Sequence, residues 1–272
     1  MEAQRRRLEK EHNRIAAQRD RAEAVRISVL TVCRNAATTI RYTLDSFFAQ
    51  DHEDKEMVVI DGASTDETLS IVRAYPQDRL VVCSEPDKGM YDALNKALRL
   101  YSGDAFGVLN SDDAYHDPTV LARIAKTLNS AEMVHGHLDF VRSHEEKAVI
   151  RRWRAASRPS RGFRTGWAPA HPTFYVRREV AETVGLFDLS LAIASDYDWM
   201  LRAVEKTEFR LATIDHVMVD MLPGGKSTSG LRSHIAHGFE SLRSRRQWLG
   251  SPRIDYALFA KPARKIGQFF TW

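Results

Sequence analysis

The stretch Gly107-Val-Leu-Asn110-Ser-Asp112-Asp113 decides how this chain is read. A short apolar run stops abruptly, and two adjacent carboxylates follow at its end. Open α/β sheets place their ligands outside the carboxyl ends of the strands. Two neighbouring carboxylates repel each other and call for a cation. A hard divalent ion carrying a diphosphate meets that need with oxygen ligands. Asn, Ser and Asp are also turn residues, so a solvated turn explains the same stretch.

Upstream, the pattern separates the two readings. Ile27 to Cys33 is a continuous apolar run of strand length, and Thr38 to Gln50 has helical character with Thr38 or Thr39 as cap. Met57 to Ile60 is a second strand, followed by a helix that reaches about Tyr75. Leu80 to Cys83 is a third strand, Gly89 to Tyr101 a helix, and Ala105 to Leu109 a fourth strand. This alternation predicts a parallel sheet with helices on both faces. Polar residues recur at the strand ends: Arg34 and Asn35, Asp61, Asp87, then Asp112 and Asp113. Four such clusters on one sheet edge describe a cleft. Asp66 reads as a helix cap. Asp87 and Lys88 either face the cleft or form a turn before the next helix.

Downstream the regularity weakens. Pro118 to Leu128 reads as a helix, Met133 to Arg142 and Ala148 to Trp153 as strands, Thr173 to Val176 as a strand, Ser195 to Glu205 as a helix and Phe209 to Met221 as a strand. In Ala194-Ser195-Asp196-Tyr197-Asp198, Ser195 can cap the helix and the two acids can offset its dipole. His171 lies in a proline-fixed extended loop, open to a structural, acceptor-side or metal role, and His216 reads as structural. Arg151 to Arg164 carries six arginines and no acid, either a phosphate-binding strip or a solvated basic surface. The C-terminal Lys261, Arg264 and Lys265 with Phe269, Phe270 and Trp272 suit a membrane-surface helix or a basic surface with a packed aromatic end.

Composition narrows the classes. With 272 residues, 43% hydrophobic and 28% charged, the chain suits one large globular domain with appendages. A formal charge of +4 is compatible with phosphorylated substrates or an anionic membrane surface. Cys33 and Cys83 lie in strand-like runs, where buried thiols and a reducing cytoplasm are expected rather than disulfides. No stretch approaches bilayer-spanning length, and the N-terminus is too charged for a signal peptide. A nucleotidyltransferase wants a glycine-rich phosphate loop after the first strand, whereas Cys33-Arg34-Asn35-Ala36 has no glycine. The basic residues lack a recognition helix or aromatic platform, so no nucleic-acid partner is expected. Gly-Gly-Lys226-Ser lacks the upstream glycine of a Walker A loop.

Thr31-Val-Cys33-Arg-Asn35, Asp61-Gly-Ala-Ser-Thr-Asp66, Asp87-Lys88-Gly-Met-Tyr-Asp-Ala-Leu-Asn95 and Asn110-Ser-Asp112-Asp113 follow in that order. Together they resemble the family 2 glycosyltransferases, over roughly residues 26 to 230. The Asp87 segment is similar to the subgroup that builds bacterial exopolysaccharide and capsule units, including colanic-acid type enzymes. The resemblance implies a GT-A fold, a Rossmann-like, mainly parallel sheet flanked by helices, with a helical C-terminal extension. It implies transfer of a sugar from a nucleotide donor, a UDP-sugar, with inversion, to a glycan or lipid-linked saccharide at the inner face of the cytoplasmic membrane. Thr31, Cys33, Asn35, Asp61, Asp87, Lys88 and Asp112 would line the nucleotide, with Asp61 bonding the base. Many relatives carry a second acid where this chain has Gly62. Asp113, with Asp112, would ligate Mg²⁺ or Mn²⁺, and Asp196 would be the catalytic base. Lys226 could close over the diphosphate or be a solvated loop lysine. The expected organisation is a charged helical arm at 1–25, a catalytic domain at 26–230 (nucleotide half 26–114, acceptor half 115–230) and a basic extension at 231–272.

Overall fold

The computed structural model describes residues 25–224, 231–252 and 255–257. The arm at 1–24, Lys226 and the basic aromatic end from Lys261 to Trp272 lie outside the described residues. Strands β1 (Ile27–Cys33), β2 (Lys55–Asp61), β3 (Leu80–Ser84) and β4 (Ala105–Val108) alternate with helices α1 (Ile40–Phe48), α2 (Thr68–Arg73) and α3 (Met90–Leu100). They pair in parallel in the order β3-β2-β1-β4, so the ends bearing Cys33, Asp61 and Ser84 share one edge.

Beyond β4 the sheet becomes mixed. It continues through β8 (Tyr175–Arg177), β6 (Met133–Val141), β9 (Leu211–Met221) and β5 (Asp113–Tyr115), and β7 (Val149–Trp153) pairs with β6. Only β6 and β9 run parallel there; β4–β8, β8–β6, β6–β7 and β5–β9 are antiparallel. Helix α4 (Val120–Leu128) follows β5, α5 (Arg178–Val184) follows β8, and α6 (Ser195–Glu205) and α7 (Leu231–Leu249) flank β9 in sequence. The expected boundary between 114 and 115 falls inside β5. Neither β5 nor α5 announces itself in the sequence, because three and seven residues are too few for a periodic signal.

The alternation of β1 splits the core into two layers. Ile27 and Val29 pack with Ile40, Leu44 and Phe47 of α1 and with α4, while Leu30 packs with Val58, Ile60, Leu94 of α3 and Trp199 of α6. Each fully buried large aliphatic or aromatic side chain contributes about 1.5–3 kcal/mol of transfer free energy. Helix α6 therefore stands on the α3 face of the sheet, and this brings its first turn to the strand-end edge.

Candidate active site

The acidic loop after β4 is held largely through its backbone. Leu109 N–H donates to Leu30 O (3.1 Å) and Leu109 O accepts the Thr31 hydroxyl (2.8 Å). Thr43 of α1 donates to Asp113 O (2.7 Å) and reaches Asn110 O (3.2 Å), while His144 Nε2 meets Asp112 O (2.8 Å). These bonds use the backbone carbonyls of Asp112 and Asp113 rather than their carboxyl groups. Asp112 is half-buried and Asp113 fully buried. Asn110 Nδ2 donates to Asp113 Oδ2 (2.8 Å), and Asp113 Oδ1 has no hydrogen-bond partner among the described residues. Burial lifts Asp112 above the ordinary carboxylate range; burial, and then the neighbouring Asp112 charge, lift Asp113 well above it. Two adjacent carboxyl groups held in this way fit a hard cation with oxygen ligands, which would relieve both shifts. Of the pair, Asp112 is the more accessible and Asp113 the enclosed one. No cluster of three His, Cys, Asp or Glu side chains suited to a metal occurs among the described residues.

The ends of β1 and β2 are stitched together. Asn35, in the left-handed region at φ 52°, accepts the Thr65 N–H on Oδ1 (2.9 Å), and its own N–H donates to Ser64 Oγ (2.8 Å). Asp66 accepts the Thr68 N–H (3.0 Å) and hydroxyl (2.5 Å) and also the Ala37 N–H (3.1 Å), so it ties two loops, while Glu67 holds the cap position of α2. Asp61 is completely enclosed. Its oxygens take the Ser64 N–H (3.0 Å), the Ser64 hydroxyl, the Ser84 hydroxyl (2.7 Å) and the Cys33 thiol (3.8 Å). Asp61 thus accepts from four internal donors at once. Thr31 is likewise enclosed and spends its hydroxyl on Leu109, so only its backbone is left to line a pocket. Burial, and then Asp61, push the Cys33 thiol up to about 12; Cys83 is only half-buried.

Gly62 explains itself through Asp87. A Cβ at position 62 would lie 2.3 Å from Asp87 Oδ2, so the carboxylate from the end of β3 occupies the space of a side chain at the end of β2. Asp87 Oδ1 accepts the Gly89 N–H (2.8 Å), and the Lys88 N–H donates to Asp92 (3.0 Å), which turns the chain into α3. Asp87 is half-buried and Lys88 exposed.

At the head of α6, Ser195 is not the cap. The helix starts at Ser195, Ala194 holds the cap position, and Ser195 Oγ is buried without a partner. The donors come under control from far away. Glu240 of α7 accepts the N–H groups of Ala192 (3.1 Å), Ile193 (2.9 Å) and Ala194 (2.8 Å). Asn95 of α3 clamps Phe187 with two bonds, its Nδ2 to Phe187 O (3.0 Å) and its Oδ1 from Phe187 N (2.8 Å). Asp196 Oδ1 accepts the Tyr197 N–H (2.8 Å) and lies 3.1 Å from the Tyr91 hydroxyl, while Oδ2 lies 3.9 Å from His171 Nδ1. His171 opens a 3-10 turn rather than an extended loop, and burial lowers its affinity for a proton. Asp198 is bound away from the cleft by Arg202 (2.8 Å) and Trp248 (2.9 Å), and Arg245 links Asp255 (2.6 Å) to Tyr197 (2.9 Å). Helix α7 therefore packs against α6, which carries Asp196. Tyr91, Asn95 and Glu240 were missed in sequence; only the first two lie in a motif that drew attention.

The arginine strip is largely structural. Arg151 is buried with its guanidinium 3.5 Å from the Phe140 ring centre, Arg158 forks onto Glu205 (2.6 Å), and Arg164 donates to Leu249 O. His216 pairs with Asp117 (2.7 Å), in keeping with its structural reading.

Acids gathered on the carboxyl edge of a parallel half-sheet, with a further acid at the head of a helix from a mixed second half, define an α/β architecture of the GT-A kind. The resemblance to solved structures agrees. A mannosyltransferase from Pyrobaculum calidifontis, solved with GDP-Man and Mn²⁺, superposes with a TM-score of 0.64 at 21% identity, over 88% of this chain and 69% of that one. Staphylococcus aureus TarS 1–349 with UDP-GlcNAc gives 0.66 at 18% identity, over 90% and 72%. The family model for glycosyl transferase family 2 matches residues 28–185, and the chain belongs to that family; it is a glycosyltransferase. A PGL/p-HBAD biosynthesis glycosyltransferase of Mycobacterium bovis is 28% identical over 189 residues, which cover 64% of this chain and 68% of that protein.

Proposed function

We propose that this glycosyltransferase is inverting and metal-dependent, takes a UDP-sugar as donor, and extends a lipid-linked saccharide of a cell-surface polysaccharide at the inner face of the cytoplasmic membrane. The observation that carries the reading is the pair Asp112–Asp113, two carboxyl groups side by side at the end of β4, one reachable and one enclosed with an orphan oxygen. A divalent ion held there would neutralise the charge that develops on the leaving diphosphate. Asp112 holds that charge-balancing position with Asp113, fixed by Asn110, behind it, and Asp87 reaches the nucleoside over Gly62 beside the enclosed Asp61. Asp196 takes the proton of the acceptor hydroxyl. Because one base suffices for a single displacement, no covalent carboxylate intermediate is required. A solved relative of the same fold that carries UDP-GlcNAc supports the donor, and another with GDP-Man and Mn²⁺ supports the metal. No helix among the described residues is long and apolar enough to cross a membrane, and the reading places contact with the bilayer at the C-terminal basic aromatic segment.

The test is a product-release screen of nucleotide sugars with and without Mn²⁺, on the wild type, Asp112→Ala and Asp196→Ala. Asp112→Ala loses metal-dependent donor binding and turnover together. Asp196→Ala binds donor normally and loses about 10²–10⁴ in turnover. Full activity in chelator defeats the metal reading, retained turnover in Asp196→Ala defeats the base, and a product with the donor's anomeric configuration defeats inversion.

A further inference from the structure

We propose that Tyr91 is a positioning residue for the base: its hydroxyl turns Asp196 so that Oδ2 alone is left to take the acceptor's proton. The inference rests on the reading of Asp196 as base. Tyr91 is the second residue of α3, directly after Asp87-Lys88-Gly89, and its buried ring lies 6.0 Å from that of Phe187. Its hydroxyl reaches two acceptors, Ile193 O at 2.6 Å and Asp196 Oδ1 at 3.1 Å. A phenol has one hydrogen and serves one acceptor at a time. With Asp196 ionised, the hydrogen goes to Oδ1 in a charge-assisted bond beside the Tyr197 N–H. With a proton on Oδ2, the hydrogen returns to the Ile193 carbonyl. Burial, and then the charge of Asp196, hold the phenol far above its ordinary range, so it stays a donor throughout any working pH.

In the transfer step the acceptor O–H bond breaks toward Asp196 Oδ2, and the oxygen's electron pair forms the bond to the anomeric carbon. The bond from that carbon to the diphosphate oxygen breaks, and its pair leaves with the nucleoside diphosphate. The Tyr91 hydrogen swings as the proton arrives, so the carboxyl group need not rotate. The other groups around this carboxyl are His171, facing Oδ2 from its 3-10 turn, and Glu240, which binds the preceding N–H groups from α7. Asp198 is engaged by Arg202 and Trp248.

The experiment compares Tyr91→Phe with the wild type and Asp196→Asn. Phenylalanine keeps the ring contact and removes one oxygen. Donor binding, measured calorimetrically, stays within about twofold, because the hydroxyl does not face the nucleotide loops. A carboxylate that loses a charge-assisted donor holds its proton more readily, so the acidic limb of the kcat/KM profile moves up by about one pH unit and kcat falls about tenfold. A lower kcat with an unmoved profile reduces Tyr91 to a loop support and overturns the inference. A raised donor KM with unchanged kcat also overturns it. If Asp196→Asn keeps turnover, the base assignment has failed and takes the inference with it. An inactive Asp196→Asn beside an unshifted Tyr91→Phe profile means that Tyr91 alone was misread.

Discussion

At the ends of β1, β2 and β3, the polar groups are bound within their own neighbourhood: Asp61 by Ser64, Ser84 and Cys33, Asn35 by Thr65, Asp66 by Thr68 and Ala37. At the head of α6, Asp196 is placed by distant groups, Tyr91 from α3 and Glu240 from α7. The difference follows from topology. Parallel β-α-β units return each strand end beside the last, so neighbouring loops can bond directly. The mixed half brings its helix to the edge by packing, and only remote side chains are available to hold it. The parallel half is thus tied together by its own loops, and the head of α6 is aligned by tertiary contacts.

The most damaging change to the local network is Asp61→Ala. It empties a fully enclosed position and removes at once the acceptor of a half-buried N–H and two hydroxyls, each bond worth about 1 kcal/mol, so about 3 kcal/mol of stability should be lost. Urea unfolding with nucleotide titration checks this; a variant as stable as the wild type would show that these loops do not depend on the enclosed acid. The smaller counterpart is Glu240→Ala. Water can reach half-buried N–H groups, so stability should fall by only about 1 kcal/mol, while kcat falls several-fold at unchanged donor affinity. A loss of affinity as large as the loss of kcat would erase the distinction between the two halves.

The same contrast sets how much the sequence disclosed. The four parallel strands were legible because each is a full apolar run closed by polar residues, and helix α6 was found at both its ends. Sequence also found the acids at the edge but not their division of labour. Which of Asp112 and Asp113 is exposed depends on β5, a three-residue strand that exists only because β9 pairs with it. Asp61 looked like a ligand because its enclosure comes from Ser84, on another strand. The Gly62 puzzle needed the position of Asp87, a relation invisible along one chain. Glu240 had no signal at all, since one glutamate in a basic helix reads as solvated surface.

The smallest effect separates the halves by pH. Asp220, buried on β9, accepts from His116 Nδ1 (2.7 Å) just after β5, with Lys147 Nζ at 3.7 Å. The hydrogen bond to Asp220 raises the imidazole's affinity for a proton above its ordinary value. A group whose folded pKa is raised contributes stability that is complete below the unfolded value of about 6.5 and is lost as pH climbs through the folded value. Because 37% of the His116 side chain is exposed, solvent screening holds the contribution below about 1 kcal/mol. On the nucleotide side, Asp61 is bound by hydroxyls, a thiol and a backbone N–H, none of which changes charge in that window. Raising the pH from 6 to 8.5 should therefore loosen the β5–β9 seam, seen as faster exchange of the His116 amide, which donates to Met218 O, after correction for intrinsic rates, and leave β1 and β2 unchanged. His116→Gln should abolish the pH dependence while both halves stay folded. Equal loosening of the two halves would mean that the seam is held by its ladder and packing alone, and that the contrast in how they are stabilised does not extend to charge.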